Sequence, residues 1–255
     1  MSLFNLNMNI KLLSYNIQSW DVNDRRIKGI LDLIRRHNPD VICFQEVTLF
    51  WYSLLKKELS NAYAFTGRDR FYNDKVEPKR HFERNCVVYK KDRFKAIKTR
   101  TFWLGPDMYN PSKFEGASLN RVFTTAVLLD KKTNKKTQVI STHFDNCSSE
   151  IREKQGKVLA NYLKTQRSPL ILMGDFNSEP YEKAYQLIKN VLIDVGEECG
   201  ETNFTYHGYE KYSPMRIDFF FKTPDVKVES FELVKDKFEG LPPSDHYPVK
   251  AIIDF

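Results

Sequence analysis

Leu170-Ile171-Leu172-Met173-Gly174-Asp175-Phe176-Asn177 is an apolar run followed at once by a glycine, an acid, a ring and an amide. Four consecutive apolar residues bounded by polar ones read as a buried strand, and the chemistry begins where the strand stops. Upstream lies a helical pattern over Glu150–Lys164, with Ile151, Val158, Leu159, Tyr162 and Leu163 as its stripe, and before it a second β-rich run, Gln138–Thr142, which ends in His143. The same grammar recurs nearer the start. Ile10–Tyr15 ends in Asn16, a helical pattern follows over Asp24–Arg36, and Val41–Phe44 ends in Gln45-Glu46.

Further outward, Cys86–Tyr89, Val122–Leu129, Ile217–Phe221 and Val249–Ile253 read as strands, while Thr48–Leu59 and Tyr181–Lys189 read as helices, the latter opened by Ser178-Glu179-Pro180. Asp130–Thr137 holds Lys-Lys-Thr-Asn-Lys-Lys and reads as a hairpin turn. Strands alternate with helices in places and follow one another directly in others. That mixture predicts an α/β sandwich with mixed sheets rather than a doubly wound fold. No repeat, low-complexity tract or linker divides the chain, so a single domain over residues 1–255 and a monomer are expected. Phe102–Leu119 reads as a long loop, of the kind often functional. Its rings Phe102, Trp103, Tyr109 and Phe114 either pack the loop down or stack on a substrate.

The formal net charge is +7. Charge of that sign serves solubility or a polyanionic partner such as nucleic acid or a phosphorylated lipid headgroup. Basic residues crowd one stretch: Arg68, Arg70, Lys75, Lys79, Arg80 and Arg84, then Lys90, Lys91, Arg93, Lys95, Lys98 and Arg100. It reads either as a track for a nucleic-acid backbone or as a solvated face. The four cysteines, Cys43, Cys86, Cys147 and Cys199, form no CxxC pair, which argues against a zinc site. Cys43 and Cys86 fall inside apolar runs, as small buried hydrophobes do. Residues 1–9 lack the pattern of a signal peptide, and no apolar stretch approaches the ~20 residues of a membrane span. With reduced thiols these features suit an intracellular protein, cytoplasmic or nuclear.

Polar residues gather at strand ends in α/β sheets because ligands bind there. Any one of them is an ordinary turn residue. Together they make chemical sense as a phosphoester site. Hydrolysis of such an ester needs a hard cation to neutralise the phosphoryl oxygens. Mg²⁺ takes oxygen ligands and keeps several waters, so one or two carboxylates and an amide suffice. Glu46, Asp245, Asp175, Asn16 and Asn177 supply such oxygens. His143 and His246 are candidate acids or bases, each needing a carboxylate to set its tautomer.

Six ordered stretches resemble the endonuclease/exonuclease/phosphatase (deoxyribonuclease I-like) superfamily: Ser14-Tyr15-Asn16-Ile17, Asp40–Val47, Ser141–Asp145, Gly174–Pro180, Arg216–Phe221 and Pro243–Val249. The resemblance spans nearly the whole chain. It implies a four-layer α/β sandwich, two mixed β-sheets face to face with flanking helices, and a Mg²⁺-dependent phosphoric ester hydrolase in which Mn²⁺ substitutes. By the same resemblance Glu46 matches the principal metal ligand, Asn16 the amide beside the metal and Asp245 a second carboxylate near it. Asp175 matches the residue that orients or deprotonates the attacking water, and Asn177 the amide holding the phosphate. His246 matches the catalytic histidine and Asp218 its carboxylate. His143 matches a second histidine at the phosphate, and Glu83 the glutamate that orients it. Arg121, opening a strand, is a candidate phosphate contact or a surface arginine. Whether His246 or Asp175 takes the proton from water stays open.

The branch is less legible. The Trp-x-Gly-Asp-x-Asn and Asp-Arg motifs of the 5-phosphatases are absent. Leu13–Gly67 resembles the 5′-tyrosyl-DNA phosphodiesterases, but Phe176 stands where those usually carry threonine, which is closer to the deadenylases and sphingomyelinases. Nucleic acid is the expected substrate. A lipid or small-molecule phosphoester is the alternative, and a non-catalytic binding module on the same fold is a third reading.

Overall fold

The computed structural model describes residues 9–71, 82–167 and 169–254. Two strand–helix–strand units organise it. In the first, β1 (Ile10–Asn16) leads through helix α1 (Asp24–His37) to β2 (Val41–Val47), which lies parallel to β1. In the second, β7 (Lys136–His143) leads through α3 (Ser149–Lys164) to β8 (Leu170–Asp175), again parallel. Both helices start on a side-chain cap. The Asn23 side chain accepts from Arg26 N–H, and that of Ser148 from Ile151 N–H. Such caps satisfy backbone donors that the first turn leaves unpaired.

Every other pairing is antiparallel. Around the first unit stand β3 (Tyr63–Thr66), β4 (Arg84–Lys90), β11 (Lys227–Leu233) and β12 (Val249–Asp254), giving a sheet of order β11-β12-β1-β2-β4-β3. Around the second stand β5 (Phe94–Trp103), β6 (Val122–Asp130), β9 (Ile193–Asp194) and β10 (Asp218–Lys222), in the order β5-β6-β7-β8-β10-β9. Three apolar layers hold the stack. Leu12, Val41, Cys43 and Ala251 of one sheet pack with Ala126, Val139, Ile171 and Phe220 of the other. On the far side of the first sheet, Leu13, Ile42 and Phe44 meet Ile30, Ile34, Trp51 and Leu55 from α1 and α2 (Leu49–Leu59). On the far side of the second, Ile140, Leu172 and Phe219 meet Leu159 and Leu163 of α3 and Tyr185 and Ile188 of α4 (Lys183–Lys189). The order is helices, sheet, sheet, helices: the four-layer α/β sandwich.

Several expectations need correction. The α4 helix begins at Lys183 on Glu182, not at Tyr181, so Ser178-Glu179-Pro180 is a turn ahead of it. Phe102 and Trp103 belong to the end of β5, not to a loop, and both are buried. Phe102 stacks on Phe123 with centroids 5.1 Å apart, and the Trp103 indole donates to the Arg70 carbonyl at 2.6 Å. These two rings therefore pack, while Tyr109 is exposed. The basic stretch is no continuous track either. Arg70 and Arg93 are buried on Glu83 and on Asp40 with Asp130, while Arg84 and Lys90 pair with Asp69 and Asp40. Lys75, Lys79 and Arg80 lie outside the described residues. Cys43 and Cys86 are buried thiols, as read.

Two local distortions aim the strand ends. Phe44 faces Cys86 and Val47 faces Arg84, so Gln45 and Glu46 together oppose one residue, a β-bulge. Glu46 sits there at φ 61, a left-handed conformation unusual for a side-chain-bearing residue. The bulge breaks the alternation that would send Glu46 back toward the helices. At Gly174, with φ +154, a Cβ would stand 2.0 Å from the Thr142 carbonyl oxygen, so β8 approaches β7 more closely than a side chain permits.

Candidate active site

The carboxyl ends of both parallel pairs open at the same edge of the sandwich. Register places Asn16 beside Gln45 in one sheet, and His143 and Asp218 on either side of Asp175 in the other. The Asn16 amide joins the sheets: its nitrogen donates to Glu46 Oε1 at 3.1 Å and to Asp175 Oδ2 at 2.9 Å. Below it, the Gln45 amide donates to Ser141 Oγ at 3.3 Å, a second polar tie between the layers.

His246, in the segment ahead of β12, points its Nδ1 at Asp218 Oδ2, 2.8 Å away, and its Nε2 toward Asp175 Oδ2 at 3.8 Å. Tyr206 covers the ring with centroids 4.9 Å apart. Burial works against a charged imidazole here, yet Asp218 first, then Asp175 and Asp245, raise His246 to about 10. Asp175 is raised as well, by burial and by Asp218, against the pull of His246 and hydrogen bonds from Asn177 and Asn16. Flanked by the carboxylates of Asp218 and Asp175, the imidazole is the group that carries the proton.

His143 has the opposite environment. Burial and the adjacent Arg121 guanidinium push it well below the usual histidine range, so the ring is neutral. Arg121 Nη1 lies 3.0 Å from its Nδ1, and the Asn177 amide nitrogen lies 3.0 Å from its Nε2. Asn177, at φ 46, also returns its backbone N–H to Asp175 Oδ1 at 2.8 Å. Glu83 does not bond to His143, contrary to its expected role. Its carboxylate accepts from Arg70 at 2.8 Å and from Ser19 Oγ at 3.3 Å, and reaches His143 only through Arg121, 3.9 Å away. Arg121 is buried, not a surface residue.

The tightest group of metal-ligating atoms among the described residues is Asp175, Asp218 and His246, within 4.8 Å of one another. Its histidine nitrogen is committed to Asp218, so this group is better suited to handling protons. The all-oxygen set faces the cleft instead. Glu46 accepts from Ser19 N–H at 2.8 Å and Ser19 Oγ at 2.9 Å, and Asp245 accepts from the Gln18 amide at 3.1 Å. Burial raises the Asp245 carboxyl, His246 lowers it, and Glu46 raises it again. Like charges of this kind, edging one cleft, suit a hard divalent cation. Asn16 turns its amide nitrogen to the carboxylates and its oxygen to Gln18 N–H, where a second lone pair remains for a metal.

The structure brings nine of the ten expected residues to one cleft of about 480 Å³ or its wall, with Glu46, Glu83, Arg121, His143, Asp175, Asn177, Asp245 and His246 lining it directly. The tenth, Asp218, stands behind His246. Sequence reading missed Gln18, Ser19 and Tyr206. The first two lie two and three residues after Asn16 and had only that proximity to betray them. Tyr206 lies in an irregular segment that carries no periodic signal.

The profile of the Endonuclease/Exonuclease/phosphatase family matches residues 4–246. The chain belongs to this family. Members hydrolyse phosphate esters and generally depend on a divalent metal. Ccr4 of Saccharomyces cerevisiae, the 3′-5′-exoribonuclease subunit of the CCR4-Not complex, is 23% identical over 308 residues, covering 93% of this chain and 35% of that protein. The chain thus spans about a third of that relative's length. Human tyrosyl-DNA phosphodiesterase 2 is 38% identical over 63 residues, 24% of this chain and 17% of that protein. A mannosyl-6-phosphatase of Bacteroides thetaiotaomicron superposes with a TM-score of 0.86 at 25% identity, covering 96% of this chain and 100% of that one.

Proposed function

We propose that this family member is a Mg²⁺-dependent phosphodiesterase acting on nucleic acid. The observation that supports it most is the meeting of Asn16, Glu46, Asp175, His143 and Asn177 from two sheets at one edge, with His246–Asp218 behind them. Glu46 and Asp245, with the Asn16 oxygen, would hold Mg²⁺. When bound, the ion supplies charge neutralisation at the phosphoryl oxygens. Asp175 takes the proton of the attacking water, because the imidazole flanked by Asp218 and Asp175 already carries one. As the water oxygen bonds to phosphorus the ester P–O bond breaks and the departing oxygen takes up a proton from solvent, while His246 keeps its Nε2 proton and donates it as a hydrogen bond to the phosphoryl oxygens. Neutral His143, the Asn177 amide and Arg121 hold the phosphate. The net charge of +7 and the likeness to Ccr4 favour a polyanionic substrate.

The test is cleavage of single-stranded DNA and RNA with Mg²⁺ or Mn²⁺, beside EDTA and a Glu46→Ala control. Cleavage that needs the metal and Glu46 is expected. A chain that cuts neither polymer under either ion refutes the reading. The likeness to the mannosyl-6-phosphatase over both full chains favours a second reading, a sugar-phosphate monoesterase. Inorganic phosphate released from hexose 6-phosphates, with oligonucleotides left intact, would establish it.

A further inference from the structure

Of the ten large hydrophobic side chains exposed among the described residues, Trp20, Val22, Leu49 and Phe50 meet in one groove of about 810 Å³. It runs between the segment after β1 and α2, where Leu54 and Lys57 also line it. Trp20 is 68% exposed and Phe50 50% exposed, and an apolar groove that gathers two such rings marks an interaction site. Trp20 also lines the catalytic cleft, and its neighbour Ser19 is bonded to Glu46. The groove therefore opens from the phosphate site, and an occupant of it can be covalently part of the molecule whose phosphate sits in the cleft.

The chemistry of the walls narrows that occupant. Both the N–H and hydroxyl of Ser19 are spent on Glu46, so the end nearest the cleft has little left to read hydrogen-bonding edges. What it offers is flat ring and aliphatic surface, which accepts any base by its π-face. Lys57 lines the same groove about two turns along α2 from Phe50. A hydrocarbon tail leading away from a headgroup phosphate would finish against that cation, whereas a nucleic acid strand presents its next phosphate there. The first turn of α2 holds no acidic residue, and Thr48 makes no side-chain cap bond, so no negative charge opposes an anionic strand at this helix end.

We propose that this groove seats the unpaired base next to the scissile phosphate, stacked on Trp20 and Phe50, and so selects single-stranded nucleic acid with little preference among bases. The proposal rests on the nucleic-acid reading of the active site. Its test compares kcat/KM for a single-stranded oligonucleotide with that for the same strand made abasic beside the cleaved bond. The base-bearing strand should be favoured about tenfold, within the 1–3 kcal/mol that base stacking contributes. Trp20→Ala and Phe50→Ala should each bring that ratio toward one, and Trp20→Phe should keep most of it. A wild-type enzyme that ignores the missing base, or a preference that survives both alanine variants, overturns the proposal. Fluorescence gives an independent readout, since Trp51 and Trp103 are buried and only Trp20 is exposed. In cleavage-deficient Asp175→Asn with Mg²⁺, single-stranded oligonucleotide should quench the emission, and the quench should vanish in the double variant with Trp20→Phe. A quench by dodecyl phosphate but not by oligonucleotide would put a hydrocarbon chain in the groove and sink the idea. Failure of all oligonucleotide cleavage, by contrast, refutes the function itself.

Discussion

At the level of single residues, the site combines placements that a stable fold would avoid with the geometry that justifies them. Glu46 holds a left-handed backbone, Asp175 is a buried carboxylate with a second one across the His246 ring, and Gly174 occupies a gap too narrow for a methyl group. Such features cluster at functional sites because the surrounding structure over-determines them. Asp175→Asn keeps the hydrogen bonds' outline but cannot accept a proton. It should lower kcat about 100-fold or more, as loss of a general base does. The melting temperature should hold or rise, since one of several clustered negative charges is gone. A variant retaining most of its turnover would remove Asp175 from the proposed role. Gly174→Ala tests the other kind of residue. Its Cβ would meet backbone rather than a flexible side-chain end, so β7 and β8 must separate. We expect destabilisation of about 3 kcal/mol or more, read from denaturant midpoints, because strain and lost pairing add. A loss below about 1 kcal/mol would mean that the strands yield more easily than their register implies.

Elements show what sequence could and could not reveal. Core strands with both faces buried, such as β2 and β8, announce themselves as apolar runs, and their polar ends announced Glu46 and Asp175. Edge and near-edge strands did not. In β11 the residues are Lys227-Val228-Glu229-Ser230-Phe231-Glu232-Leu233, half solvated and interrupted by a bulge, and in β5 the central residues are exposed between buried ends. Neither carries the pattern of a buried element. Loops are similar: nothing periodic marks the segment before β6, yet it is pinned on one buried carboxylate. Asp145 accepts from Ser118 Oγ at 2.7 Å, from Leu119 N–H at 3.0 Å and from Cys147 N–H at 2.9 Å. Burial pushes this carboxyl upward, but those hydrogen bonds outweigh it and hold Asp145 below its ordinary 3.8. A carboxyl depressed in the folded state contributes stability that is complete above its unfolded value. That contribution disappears as pH falls through the folded value. Unfolding free energy should therefore begin to drop below about pH 4, and Asp145→Asn should flatten part of that acid limb while lowering stability at pH 7. An acid limb identical in the two proteins would show that Asp145 titrates alike folded and unfolded.

For the whole molecule, the proposed nucleic-acid substrate must approach a cleft lined by Glu46, Glu83, Asp175 and Asp245. The long-range field is positive, with 40 Lys and Arg against 33 Asp and Glu, while the cleft itself is lined by carboxylates. A nucleic acid would be drawn by the overall charge and admitted by the metal, so the two dependences should separate. Removing the metal should abolish turnover whatever the salt concentration. Raising salt should weaken substrate capture while leaving kcat nearly unchanged, because the chemistry sits behind buried groups that ions in solution screen poorly. For a single strand the slope of log affinity on log salt is about −0.7 per phosphate contacted. Two contacts therefore predict a loss of roughly sevenfold in kcat/KM between 50 and 200 mM salt. The groove beside Trp20 adds stacking, which salt does not weaken, so Trp20→Ala should lower kcat/KM at every salt concentration without altering the slope. Lys57→Ala should instead make the slope shallower by about one contact. If kcat/KM is flat in salt for the wild-type enzyme, the substrate carries too little charge to be a strand, and the sugar-phosphate reading takes precedence.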